Sequence, residues 1–257
     1  MKISLDIYKS VQDNAAYYYE RGKRSKRKID GAIRAYHETL KKIENVELKK
    51  QKKVYKEERK KHWFEKFRWY LSSEGRLVIG GRDATTNDIL IKKYLEPKDI
   101  VFHTQLKGSP FVVVKTEGAK LTVQEKEEAA IFCASNSKQW SAQISLADVY
   151  YIKPDQVKKE FGLPKGSFMI YGERNYMKAP LELAIGITKD NLVMCGPLTA
   201  IKTQCKHILS VRQGSMKKSD VAKKVRYFIQ QKEKVDVDLD DIMQALPPGD
   251  CDLKEVQ

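Results

Sequence analysis

The sequence has little of what a disulfide-stabilised, metal-binding or membrane-spanning protein needs. Its 257 residues include four cysteines and four histidines. The cysteines lie far apart without a Cys-x-x-Cys pair, which is typical of free thiols in a reducing compartment, so we expect a cytoplasmic protein. The histidines are not grouped with them, which argues against a structural zinc site. No run of about 18 apolar residues occurs, so no membrane partner is expected.

Sequence signatures of catalysis and nucleotide binding are also missing. The segment Gly80-Gly81-Arg82-Asp83 has two adjacent glycines but neither the G-x-G-x-x-G nor the G-x-x-x-x-G-K-[ST] pattern. No histidine, cysteine or carboxylate pair has the spacing of a nucleophile with its base or of a metal centre. We therefore predict no catalytic residue, no metal and no cofactor, and a hydrolase or nuclease is the least favoured class.

Positive charge, in contrast, is abundant and unevenly distributed. The chain carries 49 Lys and Arg against 34 Asp and Glu, a formal net charge of +15. Residues 1–71 contribute +11 and residues 72–231 contribute +9, whereas residues 232–257 carry −5. A basic surface of this kind attracts polyanions, of which nucleic acid is the commonest. The alternative is a basic surface that only aids solubility.

The first 71 residues contain two glycines, no proline and a helical apolar pattern. Five apolar residues recur at intervals of four and three: Ile29, Ile33, Tyr36, Leu40 and Ile43. This spacing is typical of a coiled-coil seam. The pattern weakens at 44–47 and a second helical run begins near Leu48. Residues 1–71 are therefore predicted to form a basic helical hairpin, the base of a coiled coil, and one continuous helix is the less favoured alternative.

After residue 71 the chain changes to short apolar, β-branched segments separated by glycine and proline. The sequence Thr122-Val-Gln-Glu125 is typical of a capping box and predicts the start of a helix. The fold class is thus predicted to be α+β, with the N-terminal helical hairpin followed by a mixed β-sheet domain with packed helices over 72–190. Residues 191–257 are predicted to be an extension with a strand, a helix and an acidic tail.

Five segments together resemble a known family. The longest is WFEKFRWYLSSEGRLVIGGRDATTN, from Trp63 to Asn87, and the others are Asn14–Tyr19, Gly108–Pro110, Thr122–Glu125 and Gly166–Tyr176. They resemble the NFACT proteins, which are ribosome-quality-control factors of the NEMF and RqcH type, and the extension is similar to the archaeal branch. The family's N-terminal half has no counterpart here, so the chain is expected to correspond to the C-terminal half of the family, either as a piece of a longer member or as one half of a split gene.

The resemblance implies an NFACT RNA-binding domain that follows the end of a coiled-coil module. It also implies binding to large-subunit ribosomal RNA and to tRNA, during the rescue of stalled ribosomes that still hold peptidyl-tRNA, without enzyme chemistry. The helical arm suggests a second kind of partner, a ubiquitin-ligase-like or other quality-control factor. The alternative function is therefore a coiled-coil scaffold that recruits a protein partner, with RNA binding incidental.

The candidate RNA-binding residues are cations, amides and a histidine on predicted loops, strand ends and the basic arm. They are Lys52, Lys53, Lys60, Arg82, Asp83, Asn87, His103, Lys107, Lys115, Arg174 and Asn175. Each also has a structural explanation: a turn and helix cap at 80–87, a hydrogen-bonded histidine at 103, and solvated lysines elsewhere. Burial of these cations in internal ion pairs would argue against RNA binding.

Overall fold

The computed structural model describes residues 3–54, 61–106, 108–233 and 235–256, with the side chains of 41–54 left out. The chain divides into two units, Met1–Lys60 and Lys61–Gln257. The predicted α+β class is confirmed. Within the described ranges, no helix is long and apolar enough to cross a membrane.

The first unit is built on one helix, α1 (Val11–Val54). Asn14 fixes the turn that precedes it, because its side-chain amide donates to the Asp6 carbonyl (3.0 Å) while its Oδ1 accepts from the Asp6 amide (2.9 Å). The predicted hairpin is wrong over 11–54, since α1 continues through 44–47. Neither glycine nor proline occurs between Ala32 and His62, and a weaker apolar seam alone does not interrupt the helical hydrogen bonds.

The aromatic segment that follows is also not the predicted helix. Trp63–Lys66 is a single 3-10 turn, and Arg68–Leu71 is a β-strand. Phe67 and Tyr70 are both fully buried, and as residues of opposite parity they enter the cores on opposite faces of the sheet. This alternation is the physical reason for the strand. The aromatic residues are thus part of the second unit rather than the end of the arm.

The second unit contains twelve strands and six α-helices among the residues described. The strands are β1 (Arg68–Leu71), β2 (Leu77–Gly80), β3 (Ile100–Thr104), β4 (Val112–Val114), β5 (Leu146–Ile152), β6 (Val157–Lys158), β7 (Met169–Ile170), β8 (Asn175–Pro180), β9 (Leu183–Thr188), β10 (Val193–Gly196), β11 (Cys205–Met216) and β12 (Cys251–Glu255). The helices are α2 (Ala84–Ile89), α3 (Val123–Ser135), α4 (Lys138–Ser141), α5 (Leu198–Gln204), α6 (Lys218–Glu233) and α7 (Leu239–Ala245).

Two antiparallel sheets organise these elements. The larger sheet has the order β1-β2-β4-β3-β5-β8, and the smaller has the order β10-β9-β11-β12, while β6 and β7 form a separate hairpin. Strand β9 belongs to the smaller sheet, so the change from one sheet to the other falls near residue 181 rather than at the predicted 190. The predicted strand and helix of the extension are confirmed as β11 and α6.

The predicted acidic tail is folded. Residues 239–245 form α7 and residues 251–255 form β12, which pairs with β11. Ile242, Leu246 and Cys251 are fully buried, whereas Asp240, Asp250 and Asp252 are exposed. The acidic composition of this segment therefore does not keep it out of the core, because a few apolar positions bind it there.

The larger sheet is covered differently on its two faces. One face packs against α3 and the smaller sheet in a shared core. Helix α3 begins as predicted: Thr122 Oγ1 accepts from the Glu125 amide (3.1 Å), and Glu125 accepts from the Thr122 amide (3.0 Å). The other face packs against α2 and the π-helical turn Leu90–Tyr94 at one end. At its opposite end this face is partly open, and the candidate site lies there.

Candidate nucleic-acid interface

A row of aromatic rings ends in a cation at the open end of this sheet face. We call it the aromatic strip: Phe111, His103, Tyr150, Tyr176 and Arg174. His103 is the direct cross-strand partner of Tyr150, and Tyr150 is the partner of Tyr176, so the three side chains share one face. Adjacent ring centroids lie 4.6, 5.9 and 5.7 Å apart in the order of the strip. Phe111 and Tyr150 are buried, so the parts of the strip that can offer a π-face and a positive charge to RNA are the exposed Tyr176 ring and the partly exposed Arg174.

Of the predicted cations whose side chains are described, Arg174 lies on the strip. Its guanidinium carbon is 5.0 Å from the Tyr150 ring centroid, a cation–π arrangement that fixes the group beside the half-exposed Tyr176. Arg174 forms no ion pair with a carboxylate anywhere in the described ranges. Asn175 is exposed next to it. The guanidinium is therefore oriented by the protein and still able to bind an external acceptor.

His103 contributes a neutral aromatic ring to the strip rather than a positive charge. Its Nδ1 lies 2.6 Å from the carbonyl oxygen of Thr104, to which it donates. Burial lowers the pKa of His103 to about 4, against the opposing effect of that hydrogen bond. The imidazole is therefore neutral at physiological pH. Burial likewise raises the pKa of Tyr150 to about 12, so this phenol also stays uncharged.

Asp83 and Asn87 hold the turn that leads to the strip. Asp83 is the N-cap of α2, where its Oδ1 accepts from the Thr86 amide at 2.8 Å, and this hydrogen bond lowers the pKa of Asp83. Asn87 Oδ1 accepts from the Phe111 amide at 3.1 Å. A Cβ on Gly81 would lie 1.9 Å from that Oδ1, so glycine is required there. The turn-and-cap interpretation accounts for all of these residues.

Arg82 and Lys115 are occupied inside the domain. Arg82 donates to the carbonyls of Glu65 (2.7 Å) and Phe67 (2.9 Å) and to Gln244 Oε1 (2.6 Å), so it connects α7 to the start of β1. Lys115 Nζ lies 2.7 Å from Asp99 Oδ2, and the Lys115 side chain is 14% exposed. This geometry favours a structural role for both cations over the predicted RNA contact, because Arg82 Nη1 and Nη2 and Lys115 Nζ already have partners inside the domain.

The remaining predicted residues belong to other parts of the chain. Lys60 and Lys107 lie outside the described residues, as do the side chains of Lys52 and Lys53. Their RNA contacts stay predictions. No three His, Cys, Asp or Glu side chains among the described residues are grouped as ligands of a metal ion would be.

The sequence interpretation missed Phe111 and Tyr150. Each is buried and lies in a short apolar segment that reads as core. Only strand pairing brings them beside His103 and Arg174, and the pairing of β3 with β5 joins residues 47 positions apart. The alternating pattern of β5 was the available signal, because it places Tyr150 on the face opposite Val149.

Comparison with known proteins adds a family to this geometry. Residues 66–172 match the family described as the NFACT protein RNA binding domain. The archaeal Rqc2 homolog aRqcH of Methanocaldococcus jannaschii is 36% identical over 219 residues, which cover 82% of this chain and 31% of that protein. The ribosome quality control complex subunit NEMF of Homo sapiens and its homolog in Drosophila melanogaster are each 33% identical, over 68% and 72% of this chain. The chain spans less than a third of the length of these relatives.

Proposed function

Because this chain belongs to the NFACT family and its residues 66–172 match the family's RNA-binding domain, we propose that the exposed end of the aromatic strip, Arg174 and Tyr176, is its RNA-binding surface. The strip forms part of a ribosome-quality-control factor that engages the large ribosomal subunit with a stalled peptidyl-tRNA and helps to hold the tRNA. The names of the relatives support the ribosomal context, and the geometry of the strip supports the RNA contact.

One observation carries the proposal: Arg174 is fixed on the Tyr150 ring next to an exposed ring and pairs with no carboxylate of the part of the chain that the structure describes. A planar guanidinium can donate two parallel hydrogen bonds to a phosphate, and stacking on Tyr150 leaves its edge free to do so. Tyr176 is 55% exposed and offers a π-face to an unpaired base. Arg82 and Lys115 are weaker candidates, because Arg82 Nη2 donates to two backbone carbonyls and Lys115 pairs with the buried Asp99.

The strip is suited to recognition of shape and charge rather than sequence. A-form RNA helices hide their base edges in a narrow groove, so the accessible targets are phosphates, 2′-hydroxyls and unpaired bases. Binding is then dominated by phosphate contacts, and affinity falls steeply as the salt concentration rises.

Fluorescence anisotropy with labelled tRNA and with a large-subunit ribosomal RNA fragment tests this surface. We expect Arg174→Ala to weaken binding by roughly 5- to 150-fold, the loss that corresponds to about 1–3 kcal/mol for a charge-assisted hydrogen bond. The slope of log affinity against log salt should fall by about 0.9, because one phosphate contact is lost. Arg212→Ala is the matched control, since Arg212 is exposed on β11 of the smaller sheet.

The unfolding midpoints of both variants should match that of the unchanged protein. Equal RNA affinity for Arg174→Ala and Arg212→Ala would contradict the assignment of the strip. Absence of saturable binding by the unchanged protein at about 0.1 M salt, where surface charges are already screened beyond 10 Å, would contradict the RNA-binding function itself. Cross-linking to purified large subunits, with and without bound tRNA, tests the ribosomal part of the proposal.

A second candidate function follows from the exposed seam of α1. Ile29, Ile33 and Tyr36 are 59%, 50% and 62% exposed, and no other helix among the described residues of the first unit covers them. Coiled-coil seams are stable when another helix buries them. This seam therefore favours a helical partner, such as a ubiquitin-ligase-like factor or a second copy of the arm.

The arm is tested by sedimentation equilibrium and by capture of a helical partner. Ile33→Glu should abolish helix pairing, because it places a charge in the seam, and should leave RNA affinity at the strip unchanged. Ala35→Glu is the control, since Ala35 lies off the seam and is exposed. Equal behaviour of the two variants would count against a coiled-coil partner.

A further inference from the structure

The β6–β7 hairpin presents Phe161 to solvent from an ordered loop. The Phe161 side chain is fully exposed, with a relative accessibility of 109%. Burying a phenylalanine stabilises a protein by about 1.5–3 kcal/mol, so exposure at a fixed position forgoes that contribution. Single exposed apolar residues are common on mobile surface segments, so the exposure of Phe161 indicates a binding role only if its loop is held in place.

A lysine holds the loop closed. Lys159 Nζ donates to three backbone carbonyls across the loop, those of Leu163 (3.3 Å), Pro164 (2.7 Å) and Ser167 (3.0 Å). An ammonium group has three donors, and all three are used here. Phe161 lies between Lys159 and this set of carbonyls. Lys159 therefore restricts the conformation of the loop that carries Phe161. Because the loop is held in place before a ligand binds, less conformational entropy is lost on binding.

The base of the hairpin is continuous with the aromatic strip. Phe168 packs edge-to-face on Phe111, with centroids 5.5 Å apart. Gln156 Nε2 donates to the carbonyls of Tyr171 and Glu173, each at 2.8 Å, and Glu173 directly precedes Arg174. Phe161 is thus presented from an element that is fastened to the proposed RNA surface on two sides.

The hairpin also fits tightly against α2. Gly166 adopts φ +76°, and a Cβ there would lie 2.5 Å from the Cα and the carbonyl oxygen of Ala84. The Gly166 amide donates to Asp88 Oδ1 at 3.4 Å, and Lys159 Nζ lies 3.8 Å from the same carboxylate oxygen. These contacts fix the direction in which the loop leaves the domain.

We propose that Phe161 is a stacking platform for an unpaired base of the RNA that lies on the aromatic strip, an inference that rests on the proposed function. The charge around it fits RNA: Lys158 and Lys165 are exposed on the hairpin against Glu160, and the exposed Lys153 and Asp155 precede the hairpin. The base must be unpaired, because both faces of a base within a duplex are already stacked.

Side-chain substitutions at Phe161 distinguish stacking from simple apolar contact. We expect Phe161→Ala to weaken tRNA binding by roughly 5- to 150-fold. This loss corresponds to a base–aromatic stacking energy of about 1–3 kcal/mol per base. Phe161→Tyr keeps an aromatic ring and should bind as the unchanged protein does. Phe161→Leu keeps apolar surface without a ring and should behave as Phe161→Ala. A blunt RNA duplex without unpaired bases should bind all four proteins equally.

A covalent readout locates the contact. Ultraviolet irradiation joins stacked aromatic side chains to bases, and trypsin then releases the peptide Glu160–Lys165, which contains Phe161. We expect this peptide to carry the nucleotide adduct in the tRNA complex. All Phe161 variants should unfold at the same temperature as the unchanged protein, since the side chain makes no buried contact.

The outcomes separate this inference from the function on which it rests. If Phe161→Ala binds tRNA normally while Arg174→Ala does not, the stacking platform is refuted and the RNA-binding strip stands. If the unchanged protein does not bind RNA, the function itself fails. If Phe161→Ala weakens binding to whole ribosomal subunits only, and Phe161→Leu restores it, the occupant is a protein pocket and the proposal is overturned.

Discussion

Replacing Lys115 with methionine keeps the length of the side chain and removes a charge that Asp99 needs. Asp99 is 1% exposed, and its Oδ2 lies 2.7 Å from Lys115 Nζ. Breaking a buried ion pair on one side typically costs about 3–5 kcal/mol, because the remaining charge has lost both water and partner. Lys115 also pairs with Glu96, but the Glu96 side chain is 65% exposed, so this second ion pair contributes little to the free energy of unfolding. The Asp99 carboxylate keeps a hydrogen bond from the Glu96 amide (2.8 Å), so we expect the lower end, about 3 kcal/mol.

Urea and thermal unfolding followed by circular dichroism measure this loss. For a unit of this size, about 3 kcal/mol corresponds to a midpoint lower by roughly 6–12 °C. The double variant Lys115→Met with Asp99→Asn should recover part of the loss, since the unpaired charge is gone. RNA affinity, measured where the variant is folded, should not change. A Lys115→Met protein of unaltered stability but weaker RNA binding would refute the reasoning and restore Lys115 as an RNA contact.

Three further predictions concern single side chains. Gly81→Ala should destabilise the second unit by about 1–3 kcal/mol in urea, because its Cβ would overlap Asn87 Oδ1, whereas Gly22→Ala on α1 meets no atom within 4 Å and should not. Burial lowers the pKa of His103 to about 4, so its imidazole should stay neutral down to about pH 5 in NMR titrations. Below pH 6.5 the unfolded state then binds more protons than the folded state. The free energy of unfolding should therefore fall as the pH drops from 6.5 to 4. A titration near pH 6.5 would contradict this. Burial, and then the nearby Arg68, lower the pKa of Lys218 to about 8 from 10.5, so stability should rise between pH 8 and 10 and Lys218→Met should remove that rise.

Local signals predicted several elements of the fold correctly. The capping box at Thr122 starts α3, and the apolar spacing of the extension predicted β11 and α6. These features depend on residues a few positions apart. The helical hairpin was wrong because a turn was inferred from a weakened seam, although no glycine or proline was present to end the helix.

The candidate site shows the same division between local and distant information. Arg174 was identified from its own neighbourhood, a loop that combines a cation, an amide and an aromatic ring. Arg82 has equally suitable local chemistry, but its partner Gln244 lies 162 residues further along the chain. Lys115 is neutralised by Asp99, which approaches only when β3 and β4 pair. Sequence patterns show which side chains can bind phosphate, and tertiary contacts determine which ones are left free to do so.

The two sheets of the second unit share one core, and this limits how the protein can be divided. Tyr70 of β1 packs so closely on Gly196 that a Cβ at that glycine would lie 2.9 Å from the ring. A fragment cut to the matched region, residues 66–172, would lose β8 and the entire smaller sheet. Tyr70 and its neighbours would then face water. The segment that matches the family's RNA-binding domain is therefore smaller than the part of this protein that must fold as a single cooperative unit.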